Sequence, residues 1–531
     1  MTALPRAADA ASSRSYLLKS LAAIGLLQLA IMLVKLARTK GLALLLGPEL
    51  VGVMAVIDKL LAVIAQTASL SLPFAAVRFL PSLWESSATA FLAVLRRMRA
   101  LLLVLVLFAA AGGAAVTLLA PAWWGAELLP YRNVVLAAFA TLPVVAIVPF
   151  VQNAIAGRLE QSRSMLFALA HAIVFASAAL LGVWWRGLFG LYVVYAVAGA
   201  VLVLAGARHV ARPAARPAPG APPPVPADPA GDESVGPLGL PRQMWAFSLA
   251  LLGLTFLTPY AALFVHYRVL RLYGADAAGW MQAAVGISLS VRALLGAAHA
   301  VMLTPNLNRR GTPASRLEWA NEFQRTLCLI SALAVPPLLL FPEVAVRLLY
   351  AASFMPGAHF VALFVIGEVI GLIAAVYQGI LVAHDHVTAL VAQNVAAQLV
   401  LLAVAAVFVE RHGIAAAAAA GITAQLFLYG ATALFLRRRY ALRLPRRDVA
   451  LAGYVVVALA LAGAAGVTAG TSGSAVAAKA SLYAATAALL VPLLTPGERR
   501  GLLRFVRGAP AHLAGHRLTR RTRRPATDHR P

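Results

Sequence analysis

The sequence predicts an all-α polytopic membrane protein of about fourteen spans, and three observations carry that prediction. Apolar residues make up 61% of the 531 and charged residues only 12%, with a mean hydropathy of +0.83. No soluble domain of this length has that balance. The apolar residues fall in long unbroken runs that cross a bilayer as helices at 1.5 Å rise per residue, not in the short alternating segments of a barrel. Basic residues gather in alternate connections between those runs, the signature of a fixed orientation across a membrane.

Taken in order, the expected spans are 18–47, 50–80, 99–120, 131–156, 165–184, 187–208, 242–272, 276–305, 321–350, 357–383, 386–410, 413–436, 448–469 and 475–495. The N-terminus is short, polar and alanine-rich, without a cleavable signal pattern. Residues 209–241 form one long proline-rich linker, expected to be extended. The chain then divides into an N-terminal lobe of six spans (1–208), the linker, a C-terminal lobe of six (242–440), an appended hairpin (441–497) and a basic tail (498–531). Each lobe opens with a pair of unusually long spans, a pattern of internal repetition known in alternating-access transporters.

Most of the 45 Lys and Arg fall in the tail, the linker and every second connection. The opposite connections hold Arg132, Arg186, Arg268, Arg271, Arg347, Arg411 and Lys479. The positive-inside bias places both termini in the cytoplasm. Topology and contact with anionic lipid headgroups account for the net charge of +26, which in a soluble chain would point to nucleic acid. The single cysteine, Cys328, is expected as a packed thiol and excludes an intramolecular disulfide.

The first pair of spans holds the candidate site. Gly47-Pro48-Glu49 makes a tight turn, and Lys35, Arg38, Lys40, Asp58 and Lys59 lie inside the apolar runs on either side. A charge near the bilayer centre costs a few kcal/mol unless it meets a partner or a wet cavity. Lys35, Arg38 and Lys59 lie roughly 18, 14 and 15 Å below the turn at helical rise, so antiparallel neighbours bring them to one depth. Lys35 and Arg38 share a helix face. In the second lobe Arg292 and Glu368 lie at membrane depth. A cationic cavity built by Lys35, Arg38, Lys59 and Arg292 is expected, with Asp58 and Glu368 as ion-coupling groups or counter-ions.

Among the histidines, His171 and His266 read as packed, His299 as packed or hydrogen-bonded, and His384-Asp385-His386 as a solvated turn. Trp123, Trp124 and Tyr131 fit an interfacial aromatic belt. Prolines 73, 143, 149, 259, 336 and 337 predict kinks. The connections on the outer side are short, and the sequence shows no HExxH, GxSxG, P-loop, CxxC or paired-carboxylate pattern. Catalysis, a metal site and a bound cofactor are therefore not expected.

Several stretches carry a family resemblance. The opening hairpin with its Gly-Pro turn and its ending PFAAVRFLPSL resembles bacterial polysaccharide flippases, the Wzx-type O-antigen or lipid-linked oligosaccharide translocases of the multidrug/oligosaccharidyl-lipid/polysaccharide (MOP) superfamily. GWMQAAVGISLSVRALLGAAHAVMLTPNLNRR resembles their aromatic-Gln block with its mid-helix cation. NEFQRTLCLISALAVPPLLLFPEVAVRLLYAASFMPGAHF resembles the segment that follows. IGEVIGLIAAVYQGILVAHDH resembles a block usually written Gly-Asp, here Gly367-Glu368. VERHGIAAAAAAGITAQLFLYG resembles the turn between spans 11 and 12. The likeness covers spans 1–12; the long linker and the last hairpin depart from the usual twelve, and fourteen spans also resemble the lipid II flippases of the same superfamily.

The resemblance implies a MATE-like arrangement of two six-helix lobes around a cavity open alternately to each side. It implies a polyprenyl-pyrophosphate-linked oligosaccharide as substrate, flipped across the bacterial inner membrane, with membrane lipids and polysaccharide polymerase or chain-length machinery as partners. A cation-coupled multidrug exporter of the same fold is the alternative. A membrane polymerase or ligase would need a large outer loop, and a scaffold would not need buried charge.

Overall fold

The computed structural model describes residues 7–158, 160–211, 239–298, 303, 307, 312–442, 444–468 and 472–495, with side chains from residue 25 onward. Nearly all of these residues are helical. The helices are α1 (Ala7–Ala68), α2 (Leu72–Ser86), α3 (Ala88–Leu119), α4 (Arg132–Gly157), α5 (Gln161–Ala211), α6 (Arg242–Ala298), α7 (Pro313–Ala334), α8 (Pro336–Leu340), α9 (Pro342–Leu349), α10 (Ala358–Ala383), α11 (Val387–Tyr440), α12 (Arg446–Thr468) and α13 (Gly473–Leu490). Most of the linker, His299 and the basic tail lie outside the described residues.

Ten helical segments among the described residues are long and apolar enough to cross a membrane. Fourteen were expected; the difference lies in α1, α5, α6 and α11, each of which runs on through a single break, at Gly47, Arg186–Gly187, Gly274 and Gly413. Each break reverses the chain. In α6 His266 reaches Gln282 at 3.2 Å, and in α11 Thr432 donates to Gln393 at 2.8 Å. Those pairs could not meet along a straight helix.

Gly47 turns at φ 70°, a region L side chains rarely adopt, and Pro48 then starts the second half without needing a hydrogen-bond partner. The second expected span, 50–80, is interrupted. Its helix ends at Ala68, Leu70 and Ser71 take φ of 47° and 59°, and Pro73 sits in the first turn of α2. The expected span 321–350 is likewise divided into α7, α8 and α9, where Pro336 and Pro342 open new helices. Pro143, Pro149 and Pro259 by contrast lie inside continuous helices.

The paired halves of α1 and α6 are the centre of the molecule and pack along each other; α4 and α5 cover α1, and α10 and α11 cover α6. At the Gly47 end the contact is backbone to backbone. A side chain on Gly52 would overlap the Ala275 carbonyl, and one on Gly279 would overlap that of Pro48. Lys40 joins the same seam by donating to the carbonyls of Arg347 and Tyr350, where α9 ends.

Helices α12 and α13 lie against α7, α8 and α10. A buried ion pair, Arg325 to Asp448 at 2.7 Å, fixes them, and Arg325 also donates to the Leu493 carbonyl. Lys479, placed by the sequence in a connecting turn, is instead fully buried in α13. Its ammonium stands over the Phe341 ring and points at the Gly466 carbonyl near the end of α12.

Candidate functional site: a cationic cavity between two helical hairpins

Faces of three helix segments enclose a charged cavity. The first half of α1 presents Gln28, Lys35, Arg38 and Leu42, its second half presents Val51, Met54, Asp58 and Lys59, and the second half of α6 presents Gln282, Gly286, Ser290 and Ala293. The enclosed volume is about 350 Å³. At helical rise the cavity begins roughly 8 Å below the Gly47 turn and extends to roughly 28 Å. The backbone contacts of Gly52 and Gly279 close the seam above it.

Lys35, Arg38, Asp58 and Lys59 all line this cavity, as their common depth below the turn requires. Their environments differ. Asp58 Oδ1 accepts a hydrogen bond from the Tyr192 hydroxyl at 2.9 Å, across from α5. Lys59 Nζ donates to Gln282 Oε1 at 3.0 Å. The Arg38 guanidinium lies 4.3 Å from the centre of the Phe175 ring, and its Nε is buried without a hydrogen-bond partner. No hydrogen bond or ion pair holds the Lys35 ammonium among the described residues. One carboxylate therefore faces three cations, and the cavity carries excess positive charge.

Arg292 stands apart from this group and corrects the expectation of a fourth cation on the same wall. It lies between two cavity-lining residues in sequence, but helical rotation turns it toward α10, where it donates to Glu368 Oε2 at 2.8 Å. Glu368 is thus its counter-ion. Lys40, a membrane-depth charge in the sequence, is absorbed by the carbonyls at the end of α9.

Asp58 also lines a second cavity of about 260 Å³ with Thr141, His171, Phe175, Tyr192 and Tyr195. His171 bonds the Tyr195 hydroxyl at 3.0 Å and stacks on Phe175. At the far end of the bundle the His384-Asp385-His386 turn is partly packed, with His386 bonded to Tyr440 at 2.6 Å. No group of three or more potential metal ligands occurs among the described residues.

The sequence did not show the neutral partners Tyr192, Phe175 and Tyr350, because aromatic residues in apolar helices carry no marker of the face they occupy. Gln282 stands out in the sequence as part of the aromatic-Gln block; its hydrogen bond to Lys59 gives that block a physical role here.

No family model and no curated protein matches the sequence. Solved structures do. The chain is similar to the lipid II flippase MurJ in an inward closed conformation, with a TM-score of 0.63 at 11% identity over 88% of this chain and 98% of that one. It is similar also to an inward-facing MATE family multidrug resistance transporter of the MOP superfamily, with a TM-score of 0.53 at 15% identity over 80% and 98% of the two chains. The chain has the fold of a MOP-superfamily transporter. A further MOP-superfamily transporter, from Pyrococcus furiosus and described by the reverse polarity of its binding pocket, matches with a TM-score of 0.50 at 15% identity over 81% of this chain and 96% of that one. The cavity bounded by α1 and α6 lies along the seam where these two hairpins meet.

Proposed function

We propose that this chain is a flippase that carries a polyprenyl-pyrophosphate-linked oligosaccharide from the cytoplasmic to the periplasmic leaflet of a bacterial inner membrane, both of its termini being cytoplasmic. The observation that carries this reading is the charge of the central cavity: Lys35, Arg38 and Lys59 against the single carboxylate of Asp58. A cationic surface at membrane depth is costly without an anionic ligand, and pyrophosphate oxygens accept charge-assisted hydrogen bonds from Lys and Arg. The unpartnered Lys35 ammonium supplies free donors. The prenyl tail remains in lipid at the seam while the headgroup crosses.

In this reading two six-helix lobes, 1–208 and 242–440, rock about the seam of α1 and α6, and the hairpin 441–497 braces the second lobe. A cationic drug would be repelled by the cavity, which disfavours multidrug export. Lipid II shares the lipid-pyrophosphate chemistry and is distinguished by mass. No catalytic step, cofactor or nucleic acid enters, and polysaccharide polymerase and chain-length proteins are the proposed partners.

Native mass spectrometry of protein purified gently from its own host tests the reading. A polyprenyl-pyrophosphate glycan bound to the wild type and lost from Lys35→Ala and Arg38→Ala is the expected result. Intact protein with no such lipid would overturn it, and a bound cationic small molecule would establish the exporter.

A further inference from the structure

Asp58 belongs to two cavities, and the second leads away from the first. The 260 Å³ cavity behind Asp58 is neighbour to a third, of about 390 Å³, with Val145 and Pro149 lining both. The third cavity holds Gln66, Ser69, Asn153 and Thr255. At helical rise Asp58 lies roughly 16 Å below the Gly47 turn and Gln66 roughly 28 Å below it, while Asn153 lies roughly 31 Å beyond the start of α4. The series therefore descends from mid-membrane toward the end of the bundle that carries Arg78 and Arg96, with no lining residue of the central cavity in it except Asp58.

Its polar groups are spaced along the descent. Tyr192, Thr141, Tyr195 and His171 border the upper cavity; below it Asn153 donates to the Pro73 carbonyl at 2.9 Å, and the Gln66 side chain is exposed. A liquid-like water takes about 30 Å³, so volumes of 260 and 390 Å³ have room for several each. Among the described residues Asp58 is the only carboxylate lining any of the three cavities. With the Arg38 and Lys59 cations beside it and a single protein hydroxyl bonded to it, this carboxylate does not make the oxygen-rich, anionic shell that a sodium ion needs. A proton needs only the carboxylate and a chain of water.

We propose that these two cavities form an aqueous half-channel through which Asp58 exchanges a proton with the cytoplasm, separately from the substrate cavity. The inference rests on the function and orientation proposed above. Phosphates that engage Arg38 and Lys59 remove the cations that balance Asp58. A hydronium at the inner end of the route then gives its proton to the free Asp58 oxygen and leaves as water, while Oδ1 keeps the Tyr192 hydrogen bond. The route allows this while substrate fills the central cavity and blocks that way in.

Single cysteines in a Cys328→Ser background test the route, since the native thiol is buried. Gln66→Cys and Val145→Cys probe the half-channel, Leu36→Cys probes the central cavity, and Glu85→Cys marks the inner end of the bundle. A charged, membrane-impermeant methanethiosulfonate reagent is applied to each face of sealed vesicles. The expected result is that Gln66→Cys and Val145→Cys react from the face that labels Glu85→Cys, and that reaction at Val145→Cys is lost when Gln66 is also replaced by Trp. Val145→Cys that is unreactive from both faces, reactive only from the opposite face, or unaffected by Gln66→Trp overturns the route. Because labelling is referred to Glu85→Cys and needs no substrate, a wrong orientation or wrong cargo leaves the test of the half-channel intact.

Discussion

Arg78, midway along α2, and Asp385, in the turn between α10 and α11, form an ion pair of 3.1 Å that joins the two halves of the chain across 307 residues. Asp385 takes φ 58°, and the Arg78 guanidinium lies 4.9 Å from the Phe247 ring of α6. The turn that the sequence presents as simply solvated therefore holds a contact with α2, opposite the Gly52 and Gly279 contacts at the other end. The bundle is thus tied near both ends by contacts that can break.

Both side chains of this pair are exposed, so it contributes under about 1 kcal/mol to folding. That is still enough to shift a two-state equilibrium up to about fivefold. Arg78→Asp alone is expected to leave thermal stability unchanged and to raise thiol-reagent access to Leu36→Cys from the inner face. Adding Asp385→Arg restores the wild-type rate. Equal access in all three proteins would show that the pair does not hold the lobes.

The opposite closure depends on the absence of side chains. Gly279→Val places its methyl groups against the Pro48 carbonyl, an overpacking that costs about 1–3 kcal/mol in the closed arrangement alone. The expected outcome is outer-face reactivity of Leu36→Cys that the wild type lacks, with folded protein retained. Gly421→Val, at a glycine with open space beside it, is the matched control.

Within the cavity, Lys35→Ala, Arg38→Ala and Lys59→Ala are each expected to weaken binding of the lipid-pyrophosphate by about 10- to 100-fold, the worth of one charge-assisted hydrogen bond. Arg292→Ala separates the two kinds of membrane charge. It strands Glu368 and lowers stability, while the double change Arg292→Met with Glu368→Leu recovers stability and leaves binding near wild type. Co-purified lipid measured against thermal midpoint distinguishes these outcomes.

The positions of Lys35, Arg38 and Lys59 on one cavity were legible because a charge in an apolar run and a Gly-Pro turn are both local signals, and helical rise converts them to depth. The role of Arg292 was not. Its partner lies 76 residues away, and the difference between facing the cavity and facing α10 is a rotation of one residue about the helix. The place of Lys479 was equally hidden, because a lone cation near small polar residues resembles a turn. Its burial depends on Phe341 and Gly466, brought to it by packing that sequence spacing does not reveal.

Glu160, in the turn between α4 and α5, gives a pH prediction outside the membrane. Burial alone would raise its carboxyl. Hydrogen bonds from His209 and Arg163, both at 3.0 Å, and the charges of Arg158 and Arg163 instead hold it below the ordinary 4.5. A carboxyl lowered by folding adds stability that is fully present above its unfolded pKa and is lost as pH falls through the folded one. Hydrogen exchange at the start of α5 should thus quicken below about pH 4.5 in the wild type, and Glu160→Gln should be fast and pH-insensitive once the intrinsic rate is removed.

The brace on the last hairpin is costly to break. Arg325 and Asp448 are almost fully removed from solvent, and Arg447 and Arg325 also hold the Leu494 and Leu493 carbonyls in the turn that follows α13. Removing one member of a buried pair leaves a bare charge and costs about 3–5 kcal/mol, whereas replacing both by apolar residues of similar volume is close to neutral. Asp448→Ala is therefore expected to lower the thermal midpoint markedly and expose the junction before α12 to protease. Arg325→Met with Asp448→Leu should restore both. If the single change is silent, α12 and α13 are held by apolar packing alone. If the double change fails to rescue, the carbonyl bonds of Arg325, not its salt bridge, fasten the hairpin to α7.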